Sequence, residues 1–295
     1  MQKYFSQLPV LVLMLLVTTL LTSARLFAAS PIQTEISAGY TYDDNVTRAE
    51  LDRDIETDNI LNIDAAARYK LPFNDNSYFS LKGTLELNKY KEYDKLSNNR
   101  LGIHGSYHVR PFSGYTATRL FVLGTYERRF YESDQRDGSA VLLQLGLSKR
   151  FTDAFTFRAG YIKEKIDAAE TKGVFDADNN RFYIDGDLKL GQNNTAYLTL
   201  SRFKGDIVST TIPTTKIIDA ARPFIVRDDA FLDLVPDRYA YKLDATANTI
   251  KLGDNYSLAS NQAIDISIFY YAAKAYAGND YTGTIFNINY LYRFN

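Results

Sequence analysis

Tyr78-Phe79-Ser80-Leu81-Lys82-Gly83-Thr84-Leu85-Glu86-Leu87-Asn88-Lys89 puts Phe79, Leu81, Gly83, Leu85 and Leu87 at every second position, with Ser80, Lys82, Thr84, Glu86 and Asn88 between them. Successive side chains of an extended chain point to opposite faces, so this stretch reads as a strand with one apolar face and one polar, charged face. A helical reading would scatter both sets around the axis. Strands of about ten residues with this alternation are the unit of a membrane β-barrel, where lipid-facing positions alternate with positions facing a wet interior.

The same alternation repeats on both sides of this segment. Before it lie Ile36, Ala38, Tyr40, Tyr42 and then Leu61, Ile63, Ala65, Ala67, Tyr69. After it come Leu101, Ile103, Gly105, Tyr107, Val109; Leu120, Val122, Gly124, Tyr126; Val141, Leu143, Leu145, Leu147; and Phe155, Phe157, Ala159, Tyr161. Further on are Phe182, Ile184, Gly186, Leu188, Leu190 and Ala196, Leu198, Leu200. Tyr239, Tyr241, Leu243, Ala245, Ala247 and Ile264, Ile266, Ile268, Tyr270 follow, and Phe286, Ile288, Tyr290, Tyr292, Phe294 end the chain. Short connectors fall at 72–76, 111–114, 152–153, 191–194 and 253–255, and longer, more charged ones at 44–57, 90–97, 131–138, 166–179, 205–237 and 275–281. Short turns on one side and long loops on the other are the habit of bacterial barrels. The expected fold is therefore all-β: a transmembrane antiparallel up-and-down β-barrel of about twelve strands, with both termini at the turn side.

Composition agrees with this class. The chain has 23 Tyr and 18 Phe, many at strand ends such as Tyr69, Phe79, Tyr107, Phe155, Tyr239 and Tyr241, where amphipathic rings suit the headgroup level. Charge is nearly balanced, at −1 overall, which argues against a nucleic-acid binder. There is no cysteine, and so no disulfide, thiolate metal site or lipidated cysteine. Residues 1–29 read as an export signal: Lys3 precedes the apolar run Leu8 to Leu21, and Ala28-Ala29-Ser30 supplies small residues for cleavage. Residues 30–295 are then the barrel, expected in the cell outer membrane of a Gram-negative bacterium, with outer-membrane lipid and lipopolysaccharide as its surroundings.

The closing alternation Phe286 to Phe294 resembles the C-terminal signal by which outer-membrane barrels are recognised for insertion, displaced by one residue because Asn295 follows the aromatic. That resemblance implies the insertion machinery as a partner. The opening strand Ala38-Gly39-Tyr40-Thr41-Tyr42-Asp43-Asp44-Asn45-Val46 resembles the start of porin-like barrels found beside exopolysaccharide genes.

With the apolar parity outward, the other parity lines the interior. Its pore-lining candidates are Arg68, Lys82, Glu86, Arg100, His104, His108, Arg119, Glu127, Arg129, Arg158, Arg181, Asp185, Asp187, Asp244 and Asp265, joined by Glu35, Asp64, Arg110, Arg150, Glu164, Lys189, Lys242 and Arg293. On the lipid face an Arg or Lys at midplane would cost about 2–4 kcal/mol. In one reading these charges line a narrow channel for small charged or oligosaccharide solutes, or for polysaccharide export. In the other they pair across a closed lumen, and the barrel is a structural or surface-interaction protein working through its outer loops. Neither reading needs a cofactor or metal.

His104-Gly105-Ser106 places an imidazole and a hydroxyl on one strand face, and resembles the His-x-Ser pair of outer-membrane phospholipases and lipid A deacylases. Those families follow the Ser with Asn; this chain has Tyr107, and the pair points inward, so no enzymatic activity is expected. Asp43-Asp44 and Asp176/Asp178 read as solvated loop charge rather than a calcium loop. The 205–237 connector carries Ile212-Pro213, Ile217-Ile218, Pro223-Phe224-Ile225-Val226 and Phe231-Leu232, too apolar for a solvated tail. Its expected places are a lumen constriction, a cap on the outer mouth or a helix on the rim.

Overall fold

The computed structural model describes residues 32–170, 172–275 and 280–294. The proposed signal segment, 1–29, lies outside them. The strands are β1 (Ile32–Asp43), β2 (Asp58–Asn74), β3 (Ser77–Tyr90), β4 (Asn98–Val109), β5 (Arg119–Tyr131), β6 (Gly138–Arg150), β7 (Phe155–Ala168), β8 (Ala177–Lys189), β9 (Asn194–Thr211), β10 (Ile225–Arg227), β11 (Tyr239–Ala259), β12 (Gln262–Ala275) and β13 (Asp280–Phe294), with one helix, α1 (Thr215–Ala221). Each barrel strand pairs antiparallel with its sequence neighbours, β9 pairs directly with β11, and β1 pairs with β13, so twelve strands close on themselves. Closure removes every unpaired edge, which is what a bilayer requires of a spanning sheet. The three-residue β10 stands outside the ring, paired to the loop end of β11.

Register aligns the outward apolar residues in rows around the wall. Leu147, Ala159, Ile184, Leu200 and Ile250 align in one row across β6, β7, β8, β9 and β11. On the far side Ile63, Leu87, Leu85 and Leu101 continue the same face. These side chains are exposed, Leu61 and Ile103 by 61% and Phe182 by 64%, and a continuous apolar belt of this kind is the surface a bilayer covers.

Four readings of the connectors change, the first because β7 runs to Ala168 and β8 starts at Ala177, so the 166–179 connector shortens to 169–176. β9 runs on to Thr211, which pairs with Tyr239, so the long loop spans 212–238. The β4–β5 connector spans 110–118 rather than 111–114. Gly253-Asp254-Asn255 is no turn: β11 passes straight through it and reverses at 260–261. The glycine has another cause, because a Cβ on Gly253 would stand 2.4 Å from the Tyr197 ring, so Gly253 makes room for an inward aromatic.

Parity on β11 is therefore opposite to expectation over its loop-end half. Ile250 and Leu252 face out, and Tyr241, Leu243, Ala245 and Ala247 face in and are buried. Asp244 and Lys242, expected in the lumen, lie on the outer face, and Tyr239 and Tyr241 leave the outer aromatic girdle. The reversal holds because α1 covers the inward apolar side chains: Ile217 and Ala221 pack with Tyr241, Leu243, Ala245 and Ala275.

Candidate functional site

The lumen is built on the inner parity of the strands, and its wall over β2–β5 is the basic side. Arg68 on β2 stands directly opposite Lys82 on β3, which stands opposite His104 on β4. Lys82 Nζ reaches Glu35 Oε1 at 3.6 Å, while Arg68 makes no ion pair among the described residues. His104 does not approach Ser106. Its Nε2 shares a hydrogen bond with Thr84 Oγ1 at 3.0 Å and its Nδ1 one with Thr125 Oγ1 at 2.9 Å, clamping the ring between β3 and β5. Gly102 leaves the space for this clamp, since a Cβ there would fall 2.5 Å from Thr84 Oγ1.

At the turn end, Lys70, Arg110, Arg119 and Tyr78 line a cavity of 360 Å³. The Arg119 guanidinium lies over the Tyr78 ring at 5.6 Å, and Tyr78 stacks on His108 at 4.5 Å. His108 Nε2 shares a hydrogen bond with Ser106 Oγ at 3.0 Å, but its buried Nδ1 has no hydrogen-bond partner among the described residues, so no third group there orients this imidazole as a base.

Above the middle tier the lining turns to amides. Thr41 Oγ1 lies within hydrogen-bonding distance of the Asn62 and Asn287 amides, Asn62 donates to Asn88 at 2.7 Å, Asn88 to Asn98 at 3.0 Å, and Arg100 Nε to Asn98 at 2.9 Å. Glu86 lies opposite Arg100, which in turn lies opposite Arg129. Arg129 pairs with Glu127 on its own strand and reaches Glu164 at 3.6 Å. Across the lumen the charges pair off: Arg158 holds Asp185 at 2.6 Å and Asp187 at 2.7 Å, and the Tyr197 hydroxyl donates to Asp265 at 2.9 Å. Arg181 lies 6.0 Å over the Phe203 ring.

The structure thus places all the pore-lining candidates on the inner face except Asp244. It divides them into a wall at β7–β8 where two carboxylates hold Arg158, and a wall at β2–β5 where Arg68 faces Lys82 and Arg100 faces Arg129, with Glu86 and Glu127 among them.

The loop end carries a group of residues that sequence reading passed over. Arg238 Nη1 pairs with Asp54 Oδ1 at 2.7 Å and its Nη2 with Glu56 Oε1 at 2.8 Å; Thr211 also donates to Asp54. Arg136 Nη2 pairs with Asp228 Oδ2 at 2.7 Å, which accepts from Thr210 at 2.6 Å. Asp54 and Asp228 are fully buried. Phe231 meets the Tyr93 ring at 4.6 Å and packs with Leu96 and Ala230. Burial and the hydrogen bond to Glu56 push the Tyr93 phenol above its ordinary range. Loop 212–238 is therefore a cap, tied to loops 44–57, 91–97 and 132–137 and resting on the inner face of β11. Asp43 is likewise no solvated charge: it is buried and grips Arg48 through two hydrogen bonds, and Asp44 accepts from the Thr284 amide. Burial works against the Arg48 charge, but Asp43 outweighs it and raises the guanidinium pKa. Asp176 accepts from the Ala168 amide, and Asp178 pairs with Lys163 on the outer face. The one signal that could have found the cap was the apolar content of a long loop that also carries Asp228 and Arg238.

No protein-family model matches the sequence, and no curated protein matches it. Among solved structures, an outer membrane channel from Pseudomonas putida F1 is similar at 10% identity, covering 90% of this chain and 97% of its own, with a TM-score of 0.56. The KdgM porin (9% identity, 88% and 98% covered, TM-score 0.43) and the NanC porin (10%, 88% and 98%, 0.44) also match, at TM-scores that carry no argument here. At such identity the first likeness is one of fold: a closed barrel of the outer-membrane channel kind.

Proposed function

We propose that this barrel is an outer-membrane channel of narrow, porin-like type, passing small charged solutes or oligosaccharides, with anions favoured. The observation that carries the reading is the net-basic inner wall of β2–β5, where Arg68, Lys82, Arg100, Arg119 and Arg129 outnumber Asp64, Glu86 and Glu127. Arg68 faces Lys82, and Lys70, Arg110 and Arg119 outnumber Asp75 in one cavity at the turn end. Like charges directly opposite on paired strands destabilise a sheet, so a barrel built only to be stable would not retain them. In a lumen they raise the local concentration of anions and lower the barrier to their entry. The asparagine and threonine tier above offers donors and acceptors suited to hydroxyl-rich solutes. In this reading the loop end faces the cell exterior, the turn end the periplasm, and β13, ending at Phe294, is the strand by which insertion machinery engages the chain. The reading assigns the barrel no catalytic step.

A second reading has its own observation. The cap at the loop end is held by buried ion pairs and an apolar core, which fits a non-conducting barrel acting through its outer surface. Single-channel recording of the refolded chain in a planar bilayer, with the reversal potential under a salt gradient, separates the two. Steady conductance with anion preference is the expected result. Silence from protein shown to be folded in the membrane transfers the assignment to the surface-acting reading.

A further inference from the structure

The outer face of β7–β11 changes chemistry row by row toward the loop end. The row Ala159, Ile184, Leu200, Ile250 is apolar. The next row is Tyr161, Phe182, Arg202, Asn248, and the one above it is Lys163, Asn180, Lys204, Thr246. Lys163 and Lys204 are two strand spacings apart, about 10 Å, and Arg202 lies one row below. Tyr161 donates to Asn180 at 2.5 Å, and Lys163 leans on Asp178. Arg202 and Lys204 make no ion pair, hydrogen bond to a side chain or ring contact among the described residues. The neighbouring carboxylates, Asp178, Asp206 and Asp244, stand one row farther from the apolar belt, and Lys163 already leans on the first. Below the cations, Tyr161, Phe182, Ile184, Leu200 and Ile250 border an open groove of 820 Å³ on the outer face, with Arg202 at its rim.

These cations sit on the lipid-facing parity. An unpaired Arg there is unfavourable within the apolar band, by about 2–4 kcal/mol at its midplane and less toward the edge. It becomes favourable at the edge when an anion meets it. Arg presents a planar fork that holds a phosphate through two parallel hydrogen bonds, and Lys adds a point charge. A ligand that places a phosphate against Arg202 and Lys204 has the apolar groove directly beneath it, and so must carry acyl chains. We infer that Arg202 and Lys204, with Lys163 beside them, form a binding site for a phosphorylated, acylated lipid of the outer leaflet, its phosphate on the cations and its chains in the groove. The inference rests on the barrel spanning the membrane with its loop end outward, and it is independent of whether the lumen conducts.

The test uses the full chain folded into phosphatidylcholine nanodiscs carrying a minor fraction of diphosphoryl lipid A, with bound lipid counted by native mass spectrometry. The wild-type chain should retain lipid A, and R202Q/K204Q should retain it about tenfold less, as expected for lost charge-assisted hydrogen bonds. R202K/K204R should keep most of the retention, and the heat-dependent gel mobility of each variant reports its fold. Lipid A stripped of phosphate should not be retained, and excess inorganic phosphate should not displace the intact lipid. Equal retention by the wild type and R202Q/K204Q overturns the site, as does equal retention of the stripped lipid. Displacement by inorganic phosphate makes it a site for free phosphate and overturns the lipid assignment. A chain that does not enter the discs overturns the membrane reading and this inference together, whereas a chain that enters and shows no phosphate dependence overturns this inference alone.

Discussion

Arg68 and Lys82 stand directly opposite each other on β2 and β3, both on the inner face; Glu35 reaches Lys82 at 3.6 Å, and Arg68 makes no ion pair among the described residues. A sheet gains nothing from such a pair, and directly opposed like charges work against it. Its place halfway down the lumen gives it a use that stability does not.

R68Q/K82Q should therefore separate selectivity from stability. The double variant should keep its conductance to a similar level but lose anion preference, seen as a reversal potential shifted toward the cation side. Its unfolding free energy should stay level or rise by about 0.2–1 kcal/mol. A drop in stability with unchanged selectivity would show that the pair is structural.

The cap depends on Asp54 meeting Arg238. Breaking a buried pair by removing one partner costs about 3–5 kcal/mol, because a charge is left buried without compensation. Arg238→Met should loosen loop 212–238 while the barrel stays folded. Limited proteolysis should then cleave within that loop at protease concentrations that leave the wild type intact. In bilayers, mean conductance should rise. Resistance equal to the wild type would mean that α1 and Phe231 hold the cap without the ion pair.

Asp254 lies on the outer parity between Leu252 and Tyr256, and its buried Oδ1 has no hydrogen-bond partner among the described residues. A carboxylate turned to lipid is unfavourable, less so than Arg or Lys. Asp254→Leu should stabilise the barrel by about 1 kcal/mol, within the outer-face cost for charged residues. Urea unfolding from lipid vesicles measures this, and a lower midpoint would point to a partner for Asp254 in the bilayer.

Gly253 sits beneath the Tyr197 ring, where a Cβ would approach to 2.4 Å. Gly253→Ala should cost about 1–3 kcal/mol by overpacking. The loss should largely vanish in the Y197A background, where the clash is gone, as a double-mutant cycle would read it. Additive losses would place the strain elsewhere.

Most of this barrel could be read in the sequence because two constraints act at short range. A strand repeats every two residues, and lipid demands that one parity be apolar, so Phe79 to Leu87 or Leu101 to Val109 declare both the strand and the face without any partner being known. That same parity located Arg68, Lys82, His104, Arg158 and the other inner charges. What only the tertiary structure decided lies where a second layer interferes with that rule. Tyr241, Leu243, Ala245 and Ala247 look like lipid-facing residues in the sequence, but α1 offers the first three another apolar surface and Tyr271, Ala273 and Tyr281 offer Ala247 one, so parity alone could not say which surface they meet. Asp244 followed them to the wrong side. Whether His104 met Ser106 or two threonines from neighbouring strands, and whether Arg158 was free or held by Asp185 and Asp187, depended on register between strands. Register is set by pairing across the closed sheet, and no single strand carries it.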